Sequence, residues 1–190
     1  MEFMGIINVT PDSFYPASRV SGTDRALALA KRHIEEGASV LDIGGESSRP
    51  GATPVTPEEE CARVIPVIKV IREAYPSVRI SVDTYHAVTA EQAILAGADI
   101  INDISAMTFD LGMVEVLKKY QKTVILMHIN GRPDHMQDHP AYTDVVTEVY
   151  DFLKERIAFA EENGIRDIMI DLGIGFGKTK EHNLTLLQNL

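Results

Sequence analysis

Short apolar runs punctuate this chain, and each is broken off by a polar residue at the head of a loop. Met4-Gly5-Ile6-Ile7 runs into Asn8, Val40-Leu41-Asp42-Ile43 into Gly44-Gly45-Glu46, and Ile80-Ser81-Val82 into Asp83-Thr84. Ile100-Ile101 gives way to Asn102-Asp103, Val124-Ile125-Leu126-Met127 to His128, and Ile168-Met169-Ile170 to Asp171 and the glycines 173, 175 and 177. Such near-continuous apolar runs predict strands of a parallel sheet buried on both faces. Between them, apolar positions recur at helical spacing. Residues 23–36 carry Ala26, Leu27, Leu29, Ala30 and Ile34, with Gly37 as a stop. Thr56 followed by Pro57 and Glu58-Glu59-Glu60 supplies a cap, a first-turn proline and an acidic first turn, predicting a helix over 57–74. Further helices are predicted over 87–95 before Gly97, over 113–120, over 142–162 before Asn163-Gly164, and from about residue 181 onward.

Strict alternation of strand and helix, with no linker or low-complexity segment, predicts one α/β domain over residues 1–190. Such folds do their chemistry just past the carboxyl ends of the strands. Here those ends carry Asn8, Glu46, Asp83, Asn102, His128 and Asp171, a candidate catalytic rim.

Composition narrows the class. A chain of 190 residues with 45% hydrophobic content can bury one sizeable core. The formal charge is −10 with both signs interspersed, which predicts neither a nucleic-acid nor a membrane-surface partner. No run approaches the ~18 apolar residues of a spanning helix. The single Cys61 excludes an intrachain disulfide and predicts a reducing, cytoplasmic setting.

Asp83, Asn102 and Asp171 are strand-end side chains able to accept hydrogen bonds from a ligand. Each, taken singly, is equally at home capping a turn or the next helix. The three glycines permit close backbone approach to a ligand, yet any tight turn would use them. Lys178 reads equally as a solvated residue at a helix start. His128, His135, His139 and His182 fit no standard zinc spacing and read as core or loop histidines. Cys61 reads as a packing residue on a helix flank.

Two longer motifs are more specific. Residues 8–14 read Asn-Val-Thr-Pro-Asp-Ser-Phe, and residues 44–51 read Gly-Gly-Glu-Ser-Ser-Arg-Pro-Gly. With the segments around Asp83, Asn102, Met127-His128 and Asp171…Gly175-Phe176-Gly177-Lys178 in matching order, the chain resembles the dihydropteroate synthase family, the folate-pathway enzymes that sulfonamide drugs target. Ser48 stands where that family has Thr, and Leu172 where it commonly has Pro.

The resemblance implies a TIM (β/α)8 barrel, of which about six βα units are present. The family's Ser-x-Lys loop and Arg-x-His motif, in units seven and eight, have no counterpart in the 190 residues. The expectation is therefore a truncated barrel. The implied reaction joins 6-hydroxymethyl-7,8-dihydropterin diphosphate to p-aminobenzoate, forming a C–N bond and releasing diphosphate. Carried over residue by residue, Asp83, Asn102 and Asp171 bind the pterin, Ser48 and Phe176 contact substrate, and Asn8 is a ligand for Mg²⁺ on the diphosphate. Arg49 faces the leaving group, its alternative being an exposed loop charge, while Phe14 and Pro50 lie in loops that fold over the p-aminobenzoate. No general acid or base is assigned.

Two other readings stand beside this one. A pterin-binding methyltransferase of the related barrel family would share the pterin carboxylates but lack the two long motifs. A non-catalytic pterin-binding remnant would keep the pterin site without turnover. A barrel lacking units is further expected to turn over slowly or not at all, and to self-associate through its open edge.

Overall fold

Each predicted strand and helix is present in the computed structural model, which describes residues 1–10, 22–47 and 53–190. The order is β1 (Met4–Asn8), α1 (Gly22–Glu35), β2 (Val40–Gly44), α2 (Pro57–Ala74), β3 (Arg79–Asp83), α3 (Ala87–Ala96), β4 (Ile100–Asp103), α4 (Gly112–Tyr120), β5 (Thr123–Met127), α5 (Val145–Glu162), β6 (Ile168–Asp171) and α6 (Lys180–Gln188).

Local signals set the boundaries. Thr56 caps α2 by accepting the Glu59 N–H at 3.2 Å, and Gly97 ends α3 at φ +116°. α5 starts three residues later than its apolar spacing predicts, because the Asp144 side chain accepts from the Val146 and Thr147 amides and fixes the first turn there. Tyr142 is left outside the helix, its ring packed edge-on to His182 with centroids 4.9 Å apart.

The sheet is wholly parallel, with strand order β1-β2-β3-β4-β5-β6. Parallel crossovers are right-handed, so an order that never reverses puts every helix on the same face. A doubly wound sheet would reverse and place helices on both. On the helix-covered face Ile7, Leu41, Ile43, Ile80, Val82, Ile101, Val124 and Leu126 pack against Ala26, Val64, Ile68, Ala90, Met113 and Leu117 in one continuous core. Cys61 belongs to this layer, its Sγ 3.6 Å from Thr89 Oγ1 between α2 and α3.

The opposite, inner face corrects the expectation of strands buried on both sides. Val40, Ile100 and Ile125 form a small buried floor at its centre. Towards the edges, β1 alternates exposed and buried, and β6 is mostly exposed. No described layer lies over Met4, Ile6 or Met169, so the two edge strands keep inner-face apolar side chains in contact with solvent.

Candidate active site

Strand register decides which polar strand ends can meet. Asn8, Gly44, Asp83 and Asn102 are partners across β1 to β4, and partnered residues of neighbouring strands share a face. The ladder continues through Ile125 to Met169, two residues before Asp171, so Asp171 shares that face. Asn8, Asp83, Asn102 and Asp171 therefore all stand on the inner face, at the carboxyl ends of their strands. Gly44 leaves a gap in the row: a Cβ there would lie 3.4 Å from Asn8 Oδ1 and 3.6 Å from Asp83 Oδ2. Asp171 Oδ1 accepts the Gly173 N–H at 2.8 Å, which fixes the carboxylate at the start of the β6–α6 turn.

One layer deeper on the same face lies Asp42, a participant that sequence reasoning passed over. Asn102 Nδ2 donates to Asp42 Oδ2 at 3.1 Å, which orients the carboxamide. Asp42 Oδ1 and the Ser81 hydroxyl, side by side in register, have no hydrogen bond of ordinary geometry among the described residues. The signal was available: a carboxylate inside the apolar run 40–43, two residues before Gly44, must share the face of that glycine.

Among the described residues, the row is rich in hydrogen-bond acceptors. Burial raises the Asp83 carboxyl well above the usual carboxylate range, and Asp42, Glu60, Asp103 and Glu46 push it further the same way. Burial likewise raises Asp42, with Ser81 and Asn102 pulling back. Below Asp83, the buried Glu60 accepts from Thr84 Oγ1 at 2.7 Å and lies 3.0 Å from His86 Nδ1, an interaction that raises the histidine. Glu46 accepts from the Tyr85 hydroxyl at 2.8 Å, joining the β2 loop to the end of β3.

An apolar wall stands over this row. Tyr85, Ile104, Met127, Ile129 and Met136 cluster with Phe109 and the half-buried Phe176. Met127 ends β5 and the other members come from the loops after β3, β4, β5 and β6, so the wall is assembled by the topology. Carboxylate acceptors beneath an apolar, partly aromatic wall suit a flat heterocycle with an N–H edge.

Two polar strand-end residues, His128 of the rim and Asp103, do not enter the cleft. His128 follows Met127 on β5 and so turns to the helix side, edge-on to Phe152 of α5 with centroids 4.9 Å apart. Asp103 also faces the helices, accepting from the Ser105 and Met107 amides, and so holds a turn in which Ala106 and Met107 have φ of 51° and 64°. Lys178 corrects the solvated reading. It is 3% exposed, and its ammonium contacts His128 and the β6–α6 turn. His182 caps α6 with Thr179. Leu172 packs beside Val145, Val149, Leu153 and Leu186. Phe14, Ser48, Arg49 and Pro50 lie outside the described residues.

No group of three or more His, Cys, Asp or Glu among the described residues could hold a metal ion. No described helix is long and apolar enough to cross a membrane.

Residues 4–190 match the pterin binding enzyme family. The chain is 42% identical over 189 residues to a dihydropteroate synthase of Synechocystis, covering 98% of this chain and 65% of that protein. Among solved structures, a Xanthomonas albilineans dihydropteroate synthase with 4-aminobenzoic acid superposes with a TM-score of 0.90 at 45% identity, covering 97% of this chain and 66% of that one. The same organism's dihydropteroate synthase in complex with 7,8-dihydropteroate gives a TM-score of 0.86 at 40% identity, covering 98% and 66%. The chain thus spans about two thirds of the length of the relatives it matches.

Proposed function

Because the chain belongs to the pterin binding enzyme family, we propose that its inner face binds a reduced pterin, as part of a dihydropteroate synthase site. That site condenses 6-hydroxymethyl-7,8-dihydropterin diphosphate with p-aminobenzoate to give 7,8-dihydropteroate and diphosphate. One observation carries the reading: strand register gathers Asp83, Asn102 and Asp171 on a single face at the carboxyl ends of their strands.

In this mechanism the pterin's amino and ring N–H groups donate to the Asp83 and Asp171 carboxylates, and Asn102, oriented by Asp42, supplies a complementary carboxamide. The C–O bond to the diphosphate breaks with its electron pair on the leaving group, and positive charge develops on the pterin methylene. Carboxylates already aimed at the ring stabilise that charge without reorganising. The arylamine nitrogen then donates its lone pair to the methylene carbon, and the nitrogen's proton passes to solvent. Phe176 lines the apolar side. Phe14 and Pro50 would cover the arylamine, with Ser48 and Arg49 on the anionic end.

Asn8 suits the role of a Mg²⁺ ligand, since its exposed carboxamide oxygen opens beside the Gly44 gap, and Mg²⁺ usually keeps several waters and relies on substrate phosphates. When bound, the ion would neutralise charge on the departing diphosphate. The unpaired Cys61 supports a reducing, cytoplasmic setting. Exposed Ile6 and Ile170 on edge strands β1 and β6 support self-association through those edges.

The test is dihydropteroate synthesis from the two substrates by the purified chain, with sedimentation on the same sample. Product formation supports the full reaction. Pterin binding without turnover supports the non-catalytic alternative, and neither binding nor turnover overturns both.

A further inference from the structure

We propose that Lys178 is a positioning residue for the pterin cleft: its ammonium ties the ends of β5 and β6 together and, through Gly173, holds Asp171 in place. This rests on the pterin reading above. Lys178 Nζ lies 2.9 Å from Gly173 O, 3.0 Å from Phe176 O, 3.2 Å from His128 O and 2.9 Å from His128 Nδ1. An ammonium has three protons and no lone pair, so these acceptors use every donor and leave none for solvent or substrate. Two acceptors belong to the β6–α6 turn and two to the residue that follows β5, so the group spans neighbouring strands.

Gly173 is the pivot of this arrangement. At φ +67° it lies so close to β5 that a Cβ there would fall 1.9 Å from His128 O. Its N–H donates to Asp171 Oδ1 while its carbonyl accepts from Lys178, so two hydrogen bonds link the lysine to the proposed pterin carboxylate. Phe176, whose carbonyl accepts a third bond, is the aromatic member of the wall from the same turn. A buried charge is costly unless its hydrogen bonds are all made, and an apolar chain of equal length would fill the same space. The lysine is therefore better explained by the bonds it makes than by the volume it occupies.

The charged groups around it are few. Asp171 on β6 favours the ammonium, while burial draws the lysine down to about 8. His128 on β5 must be neutral with its proton on Nε2, because Nδ1 accepts. Glu148 on α5 acts on His128 and Tyr142, and His182 on α6 packs against Tyr142. Above pH about 8 the amine retains two N–H groups and gains a lone pair, so it can no longer serve all its acceptors. The turn then loosens.

Two measurements test this. The first follows the Gly173 amide and Asp171 carboxyl resonances of the unmodified chain by NMR from pH 6.5 to 9.5. They should move together, with one shared midpoint, as the lysine loses its proton, and a lysine titration that leaves either resonance unmoved overturns the proposal. The second titrates 6-hydroxymethylpterin into wild type and Lys178→Met by calorimetry. Wild type should bind roughly ten- to a hundredfold tighter at pH 7, and the ratio should shrink as the lysine loses its proton, without reaching one, because the neutral amine keeps two donors that methionine lacks. Ionisation of the probe itself cancels in that ratio. Equal affinity at pH 7, or a ratio that ignores pH, overturns the positioning role. A wild type that binds no pterin, while the two resonances titrate as expected, would instead refute the pterin reading.

Discussion

Acidification should remove about 3 kcal/mol of stability through one side chain, His128. Its imidazole is 6% exposed, lies edge-on to Phe152, and offers Nδ1 to the Lys178 ammonium at 2.9 Å. Burial first, and the lysine charge second, hold it down to about 4 from an ordinary value of 6.5. Above pH 6.5 the ring is neutral in both folded and unfolded chains, and its contribution is fully present. Below 6.5 the unfolded chain takes a proton that the folded chain refuses, so stability drains away until about pH 4. At roughly 1.4 kcal/mol per tenfold change in proton affinity, that interval is worth about 3 kcal/mol. The buried carboxyls of Asp42, Asp83 and Asp103 are raised and act in the opposite direction, so the total pH curve is not diagnostic. The diagnostic quantity is the difference between wild type and His128→Gln, which keeps an acceptor for the lysine and does not titrate. Urea unfolding at pH 7, 6, 5 and 4.5 should show that difference moving by 2–3 kcal/mol, at roughly the same scale, in favour of the variant. A difference constant to within about 0.5 kcal/mol would refute the burial and charge argument.

Three other substitutions probe separate parts of the structure. Gly173→Ala forces a Cβ onto His128 O at a positive φ and should cost more than about 3 kcal/mol in chemical denaturation; a loss under about 1 kcal/mol would mean the turn does not press on β5 as described. Asn102→Asp replaces the donor facing Asp42 Oδ2 with a second carboxylate, so a loss of about 1–3 kcal/mol is expected at pH 7, recovering towards pH 4 as one of the pair protonates. Recovery on raising the pH would contradict that sign. Leu126→Ala empties the middle of the helix-covered face and should cost about 2–5 kcal/mol in the same assay.

The elements were legible because their signals are local. Thr56 and Pro57 announce α2, Gly97 ends α3, and the apolar runs give all six strands. Asp83, Asn102 and Asp171 could be picked out as strand ends, but their common face depends on register. The same rule separates them from His128 and Asp103, equally polar strand-end residues that turn towards the helices. Glu60 read only as part of an acidic first turn, and its 1% exposure and its contacts with Thr84 and His86 come from the packing of α2 against the end of β3. Lys178 was the least legible. Its acceptors on His128 are 50 residues away in sequence and come within reach only because β5 and β6 are neighbours and the turn carries positive-φ glycines at 173, 175 and 177.

The central claim is that the inner-face row of acceptors binds a pterin. Its most direct test is calorimetric titration of 6-hydroxymethylpterin into the wild-type chain and into Asp171→Asn at pH 7, with p-aminobenzoate absent. The substitution keeps the shape of the side chain but turns one acceptor oxygen into a donor facing the pterin amino group. A mismatched buried contact of this kind costs roughly 1–3 kcal/mol, about ten- to a hundredfold in affinity. The account predicts saturable binding to wild type and weakening of that order in the variant, with the thermal unfolding of the two chains closely similar. Binding that does not weaken with Asp171→Asn would remove this residue from the site, and a wild-type chain that stays folded but binds no pterin would contradict the account altogether.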